Sequence, residues 1–211
     1  YSVRGANLRA DRAFVIAMRM GSIVMRTMDK AREVMFTKDY QQILEIKEEE
    51  QTVDRLCSGI NNYVIKLSSL SLNEKEHQHV ASILQILSDI ERVSDYCENI
   101  SEFAETLTER KAVFTEIGTK EMREMIETCA DSFKYAVEAF TENDKDKAMK
   151  VIEKESQADD LEIRLRTEHM KRLANNQCNT DAGIVYLDAL VALERISDHS
   201  RNIAEEVLTA S

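Results

Sequence analysis

Four Glu-x-x-x-Asp pairs carry the chemistry this chain could perform: Glu50/Asp54, Glu91/Asp95, Glu155/Asp159 and Glu194/Asp198. Residues four apart on a helix stand one above the other on the same face. Each pair therefore sets two like charges side by side, which destabilises its helix by about 0.2–0.5 kcal/mol. Two such helices packed together would bring four carboxylates into one place, and a multivalent cation would turn that repulsion into attraction. Carboxylate oxygens suit Mg²⁺, Ca²⁺ or Mn²⁺ and also hold iron or zinc. Charged residues make up 32% of the chain, so a lone pair of this kind is ordinarily a solvated face, and Arg92 and Arg195 could neutralise the carboxylates as ion pairs. Recurrence at matching places in the chain favours the metal reading.

Other residues around the pairs carry less. Asn99 and Asn202 fall one turn beyond Asp95 and Asp198, where each could offer an amide oxygen, hydrogen-bond a ligating carboxylate, or simply pack. Glu102 and Glu205 extend the acidic edge. His199 follows Asp198 but has Tyr96 at the corresponding place, so it is not read as a ligand. Glu74-x-x-His77 matches one element of a di-iron bundle, a site that needs two such elements face to face. The sequence holds no glycine-rich phosphate loop, nucleophile elbow or Cys/His zinc spacing. No catalytic residue is assigned, and the expected class is not an enzyme.

The elements that must position these pairs are helices. Apolar spacing is helical nearly throughout, and the 211 residues include no proline where average usage would give ~10. The first helix is expected over about 8–37, with Val15, Met18, Met25, Met28, Ala31 and Met35 inward. Asp39 or Thr37 can cap the second, whose apolar side includes Ile43, Ile46, Val53, Leu56, Ile60, Val64 and Leu67. The segment 68–73 turns the chain, and Asn73 with Glu76 has the form of a capping box. A third helix runs on to Leu107, and the connector 108–119 has Gly118 as its flexible point. Helices are then expected over about 120–142, 144–174 and 181–208.

The second set of helices repeats the first, at an offset of 105 through the second helix and 103 through the third. "ERVSDYCENISE" from Glu91 and "ERISDHSRNIAE" from Glu194 agree at seven of twelve positions, and Glu50-x-x-x-Asp54-x-Leu56 matches Glu155-x-x-x-Asp159-x-Leu161. An amphipathic trio of helices buries its own core. The expected fold is therefore all-α: two tandem three-helix bundles, residues 1–112 and 113–211. Glu91 and Asp95 fall at the border of the apolar stripe through Leu87 and Ile90, which suits a surface patch or groove.

Composition narrows the function. A net charge of −11 argues against nucleic acid, which requires a basic face, and suits cations or basic partner surfaces. Cys57, Cys97, Cys129 and Cys178 are widely spaced and read as reduced thiols of a cytoplasmic protein. No apolar run approaches the ~20 residues of a membrane span. Tyr1 opens the chain without a methionine, which suits a piece of a longer protein.

The twin strings "ERVSDYCENI" and "ERISDHSRNIAE", each ending a three-helix repeat, resemble the signature of the PhoU family over roughly residues 14–208. The resemblance implies two three-helix bundles, each with a Glu/Asp-x-x-x-Asp metal patch binding iron, zinc or another divalent ion such as magnesium or manganese. It implies a non-enzymatic regulator of phosphate uptake, working with a phosphate transporter at the inner face of the membrane and often forming homo-oligomers. By position, the ligands are Glu91, Asp95, Glu194 and Asp198, followed by Glu50, Asp54, Glu155 and Asp159. The turns "SSLSLNEKEHQHV" and "NNQCNTDAGIV" depart from the free-standing family pattern and look more like the cytoplasmic C-terminal domain of bacterial Na⁺/phosphate cotransporters. Its partner would then be its own membrane domain, a reading that Arg4, Arg9, Arg12 and Arg19 against a single Asp11 would suit, although a basic solvated helix start fits them as well. Two other classes stay open: a helical interaction module with solubilising acidic pairs, and a carboxylate-metal enzyme, which would need a substrate pocket and a base to activate water.

Overall fold

A computed structural model describes the backbone of residues 2–68 and 73–209, and the side chains of 12–64 and 73–209. Arg4, Arg9, Asp11 and Leu67 lie outside the described side chains, and most of the expected turn at 68–73 lies outside the described backbone. The elements are α1 (Ser2–Thr37), α2 (Tyr40–Ser68), α3 (Glu74–Glu109), α4 (Glu116–Glu142), α5 (Lys145–Ala174) and α6 (Thr180–Thr209). The chain is all-α, with two similar runs of three helices.

Local chemistry fixes the boundaries. The Asp39 carboxylate accepts from the backbone N–H of Gln41 and Gln42 and starts α2. Asn73 and Glu76 form the capping box at α3, each side chain taking the other's backbone N–H. Asp144 caps α5 and so lies just before it. Gly118 is not a flexible point. It sits in the first turn of α4, its N–H donating to the Thr115 hydroxyl at 3.0 Å. The connector turns instead at Lys111, which adopts the left-handed conformation (φ 50°).

Within each half the outer helix, α2 or α5, packs on its two companions. The halves meet through α1 against α4 and α3 against α6. At the first crossing a Cβ on Gly21 would lie 3.0 Å from Val137 Cγ1, so glycine lets the two helices approach. Phe14 meets Phe140 there, ring centroids 4.9 Å apart, and Arg123 covers the Phe36 ring at 4.1 Å. At the second, Asp89 is buried (2% exposed) and fully paired. Its Oδ1 meets His199 Nδ1 at 2.8 Å and accepts from Asn202 Nδ2 at 3.0 Å, while its Oδ2 accepts from Gln85 Nε2 at 3.0 Å.

The buried apolar side chains form one continuous cluster through both halves. Most of the expected inward positions belong to it, but Val15 is exposed at 61% and Met18, Met25 and Leu56 are only partly buried. Alanines such as Ala13 and Ala17 take the inner face of that turn of α1. Cys57, Cys97 and Cys129 are buried free thiols and Cys178 is half-buried.

Expressed separately, residues 1–112 and 113–211 should each remain helical and melt cooperatively, at a lower temperature than the intact chain because the α1/α4 and α3/α6 contacts are lost. Circular dichroism melts check this. Fragments disordered apart but folding on mixing would show one indivisible six-helix core.

Candidate metal centre

The structure brings the four acidic pairs together two by two. Glu50 and Asp54 on α2 face Glu91 and Asp95 on α3, and Glu155 and Asp159 on α5 face Glu194 and Asp198 on α6. Each set lies on the outer seam of its half, at the edge of the apolar stripe. Val53 and Ile90 beneath the first set are buried, as are Ala158 and Leu193 beneath the second. Glu50, Glu91, Asp95, Glu194 and Asp198 are half-buried, Asp54 and Asp159 are exposed, and Glu155 is buried.

In the second half, Glu155, Asp159 and Asp198 each offer an oxygen within 4.8 Å of the others. Three hard oxygen donors at this separation suit a cation such as Mg²⁺ or Mn²⁺, with room for water to complete the coordination. Glu194 stands beside them as a further anion. Among the described residues, the first half yields no three potential donors gathered this closely.

Arginine interleaves both sets. Arg92 donates to Asp95 at 3.2 Å, and Arg195 donates to Asp198 at 3.0 Å, each one turn away along its own helix. Both guanidinium groups are more than half exposed, so these pairs contribute at most about 1 kcal/mol each. Arg201 is different. Its Nη1 lies 2.8 Å from Glu155 Oε1 and its Nε 2.8 Å from Glu205 Oε1, and Glu155 is buried (5% exposed). A shallow groove of about 370 Å³ runs beside this cluster, lined by Glu155, Arg195, Asp198, His199, Arg201 and Glu205 among others.

The protonation equilibria record the crowding. Burial, and then the like charges of Glu98, Asp54, Asp95 and Glu91, push Glu50 up to about 7. Burial first, then neighbouring carboxylates, also raise Glu91 and Glu98. Asp95 is raised by burial with Arg92 opposing. In the second half Asp159 and Glu194 are raised by burial and then by the carboxylates beside them.

Asn202 packs, through its bond to Asp89, and His199 also serves the α3/α6 junction. Glu74 and His77 are exposed at the start of α3, with no second element of that kind facing them among the described residues. Sequence reasoning missed Glu98 and Arg201. The signal was available in the aligned strings, where these two residues occupy the same place with opposite charge.

The PhoU domain family matches residues 17–104 and 122–207, one repeat in each half. A phosphate-specific transport system accessory protein PhoU homolog from Thermotoga maritima is 25% identical over 191 residues, covering 90% of this chain and 82% of that one. The Aquifex aeolicus homolog of the same description is 28% identical over 154 residues, covering 72% and 68%. Among solved structures, PhoU from Pseudomonas aeruginosa superposes with a TM-score of 0.88 at 21% identity, covering 96% of each chain. The phosphate transport system regulatory protein PhoU from Streptococcus pneumoniae does so at 0.83 and 23% identity, covering 96% and 95%.

A stability test follows from Glu50. Its acid is raised from 4.5 to about 7 in the folded chain, so between those values the folded state holds a proton that the unfolded state has released. Stability should therefore fall as pH rises through that window. In chelator, the urea midpoint should drop between pH 5 and pH 8, and Glu50→Gln should reduce the drop. An identical drop in the variant would contradict the assignment.

Proposed function

The chain belongs to the PhoU family, and on that premise we propose that it regulates phosphate transport by binding, through cations held on its acidic seams. The observation that carries this reading is the recurrence of one arrangement: two Glu-x-x-x-Asp pairs on adjacent helices, in both halves, at the edge of the core. One such set would be an ordinary charged surface. Two sets at the same register, each bringing four carboxylates together beside the core, fit a role that a cation completes.

The residues that would hold the ions are Glu50, Asp54, Glu91 and Asp95 in one half and Glu155, Asp159, Glu194 and Asp198 in the other. Their all-oxygen donor set suits magnesium, manganese or iron, and also accepts zinc. A cation held there would supply a positive centre able to bridge to phosphate or to a partner's carboxylate, since its charge dominates the local field. The chain's own groups would position it: α2 and α5 bring in one pair each, while Arg92, Arg195 and Arg201 compete with the ion for the same oxygens. The curated relatives named above are accessory proteins of a phosphate-specific transport system, and this chain would act in the same setting, at the inner face of a membrane.

A second reading makes the chain the cytoplasmic portion of a Na⁺/phosphate cotransporter. It is favoured by the divergent turns before α3 and α6 and by exposed Arg12 and Arg19 near the start of α1. No helix among the described residues is long and apolar enough to cross a membrane. Residues preceding Tyr1 in the gene would decide between the two settings, and the seams would serve the same purpose in both.

Protein purified without chelator should carry divalent or ferric metal by elemental analysis. Asp95→Ala with Asp198→Ala should remove most of it while leaving helicity unchanged, because both side chains are partly exposed. In cells, replacing Glu91, Asp95, Glu194 and Asp198 together with alanine should alter phosphate uptake across external phosphate levels. Uptake indistinguishable from wild type, in this variant and in a deletion alike, would leave a plain helical interaction module as the better account.

A further inference from the structure

We propose that the α1/α2 face of the first half docks on an anionic phospholipid bilayer, with Arg12, Arg19 and Arg55 on headgroup phosphates and the apolar groove between them at the acyl boundary. This rests on the membrane setting of the proposed function and gives it a surface, separate from the acidic seams. The groove runs between the two helices, about 170 Å³ in volume, and is lined by Ala13, Ile16, Leu56, Gly59, Ile60 and Tyr63, with Arg55 alongside. Arg12, Ile16 and Arg19 follow at i, i+4 and i+7 and so share one side of α1. The two arginines stand about 10 Å apart along the axis, one on either side of Ile16. Val15, 61% exposed, lies between the same two arginines. All three arginines are exposed. Arg12 and Arg19 make no hydrogen bond or ion pair among the described residues, and Arg55 donates to the neutral Thr52 hydroxyl at 3.3 Å.

The second half shows that the fold does not require this face. At the offset of 105, Leu56 and Ile60 keep apolar counterparts in Leu161 and Leu165. The rim does not follow: Arg12, Ile16, Arg19 and Arg55 have Ile117, Glu121, Glu124 and Asp160 in their places, and Gly59 has Arg164. There Arg164 Nη2 reaches both carboxylate oxygens of Glu124 at 3.2 Å and straps α5 to α4. In the first half the corresponding place is open, with nothing within 4 Å of a Cβ built on Gly59. The same pair of elements thus packs with an acidic, strapped surface in one half and a basic, open one in the other.

An anionic bilayer fits what the open face offers. The guanidinium fork matches phosphate oxygens, and each arginine near an anionic lipid surface strengthens partition about fivefold. Apolar side chains between the arginines can meet the acyl boundary while the guanidinium heads stay among the headgroups. Apart from the arginine and Tyr63, the groove's side chains carry no donor or acceptor, so they would not fix the register of a docked protein segment. Free phosphate would satisfy the arginines but leave the groove uncovered. The net charge of −11 opposes approach by the acidic surfaces, so the contact also orients the chain, with this face toward the lipid.

The test is sedimentation of the full chain, in chelator, with vesicles of phosphatidylcholine alone or with about one-third phosphatidylglycerol. The chain should partition onto the anionic vesicles, less so as salt rises, and not onto the neutral ones. Arg12→Gln, Arg19→Gln and Arg55→Gln together should weaken partition by more than about tenfold with the melting curve unchanged, because all three side chains are exposed. Gly59→Glu, which sets an anion in open space, should weaken it too, and Arg164→Gln in the second half should not. The chain has no tryptophan, so Val15→Trp gives a single reporter whose emission should shift to the blue on anionic vesicles. Binding to neither vesicle type, equal binding to both, or no response to the triple variant would overturn the proposal. Release by inorganic phosphate at matched ionic strength would reassign the arginines to the free anion and overturn it as well. Partition seen only when Mn²⁺ replaces the chelator would move the contact to the acidic seams. The metal content of the purified chain is measured separately, so failure here leaves the metal reading standing.

Discussion

Like charges held at the margin of a helical core are the constraint on which the rest of the structure depends. A carboxylate in open water costs little, and one fully buried must be paired. The eight motif carboxylates run from exposed Asp54 and Asp159 to buried Glu155, with the other five half-buried, because their helices bury one stripe and the motif lies at its edge. Their neighbours along the helix, Val53, Ile90, Ala158 and Leu193, are buried and anchor the backbone, which keeps the acids of each half on one seam. The raised protonation of Glu50, Glu91, Asp159 and Glu194 reflects burial first and then the like charges beside them. A fold that maintains such repulsion in two places retains an affinity for positive charge.

The two halves are tied by contacts that do not follow the repeat. Asp89 has Ala192 as its counterpart, and His199 has Tyr96. The buried Asp89 junction with His199 and Asn202 is thus built once, across the α3/α6 seam, and removing either partner would leave a buried carboxylate with one fewer of its three hydrogen bonds. His199 also stacks near Tyr96, with ring centroids 5.9 Å apart. The junction lies close to Asp198 along α6, so the geometry of one acidic seam is coupled to the pairing of the halves.

Much of this was legible in the sequence, for identifiable reasons. The capping box at Asn73 and Glu76 could be read because both partners lie within one turn, and the inward positions Ile83, Leu87, Ile90 and Cys97 follow from period alone. The motif pairs were visible because internal duplication repeats them. What could not be read depends on which helices meet. The α3/α6 junction joins residues 110 apart in the chain, with no local pattern to reveal it. Val15 sits on the expected stripe but faces water, because the inner side of that turn is lined by alanines. Gly118 suggests a hinge by composition, yet the Thr115 hydroxyl recruits it into a helix. The contrast between Glu98 and Arg201 was present in the aligned strings, but its meaning required the contact with Glu155.

The central claim is that the acidic seams hold multivalent cations. Crystals grown or soaked with Mn²⁺ and measured near the manganese absorption edge test it most directly. The account predicts anomalous density bounded by Glu50, Asp54, Glu91 and Asp95, and among Glu155, Asp159 and Asp198. Anomalous maps without density on either seam, at Mn²⁺ concentrations that occupy other surface carboxylates, would contradict it.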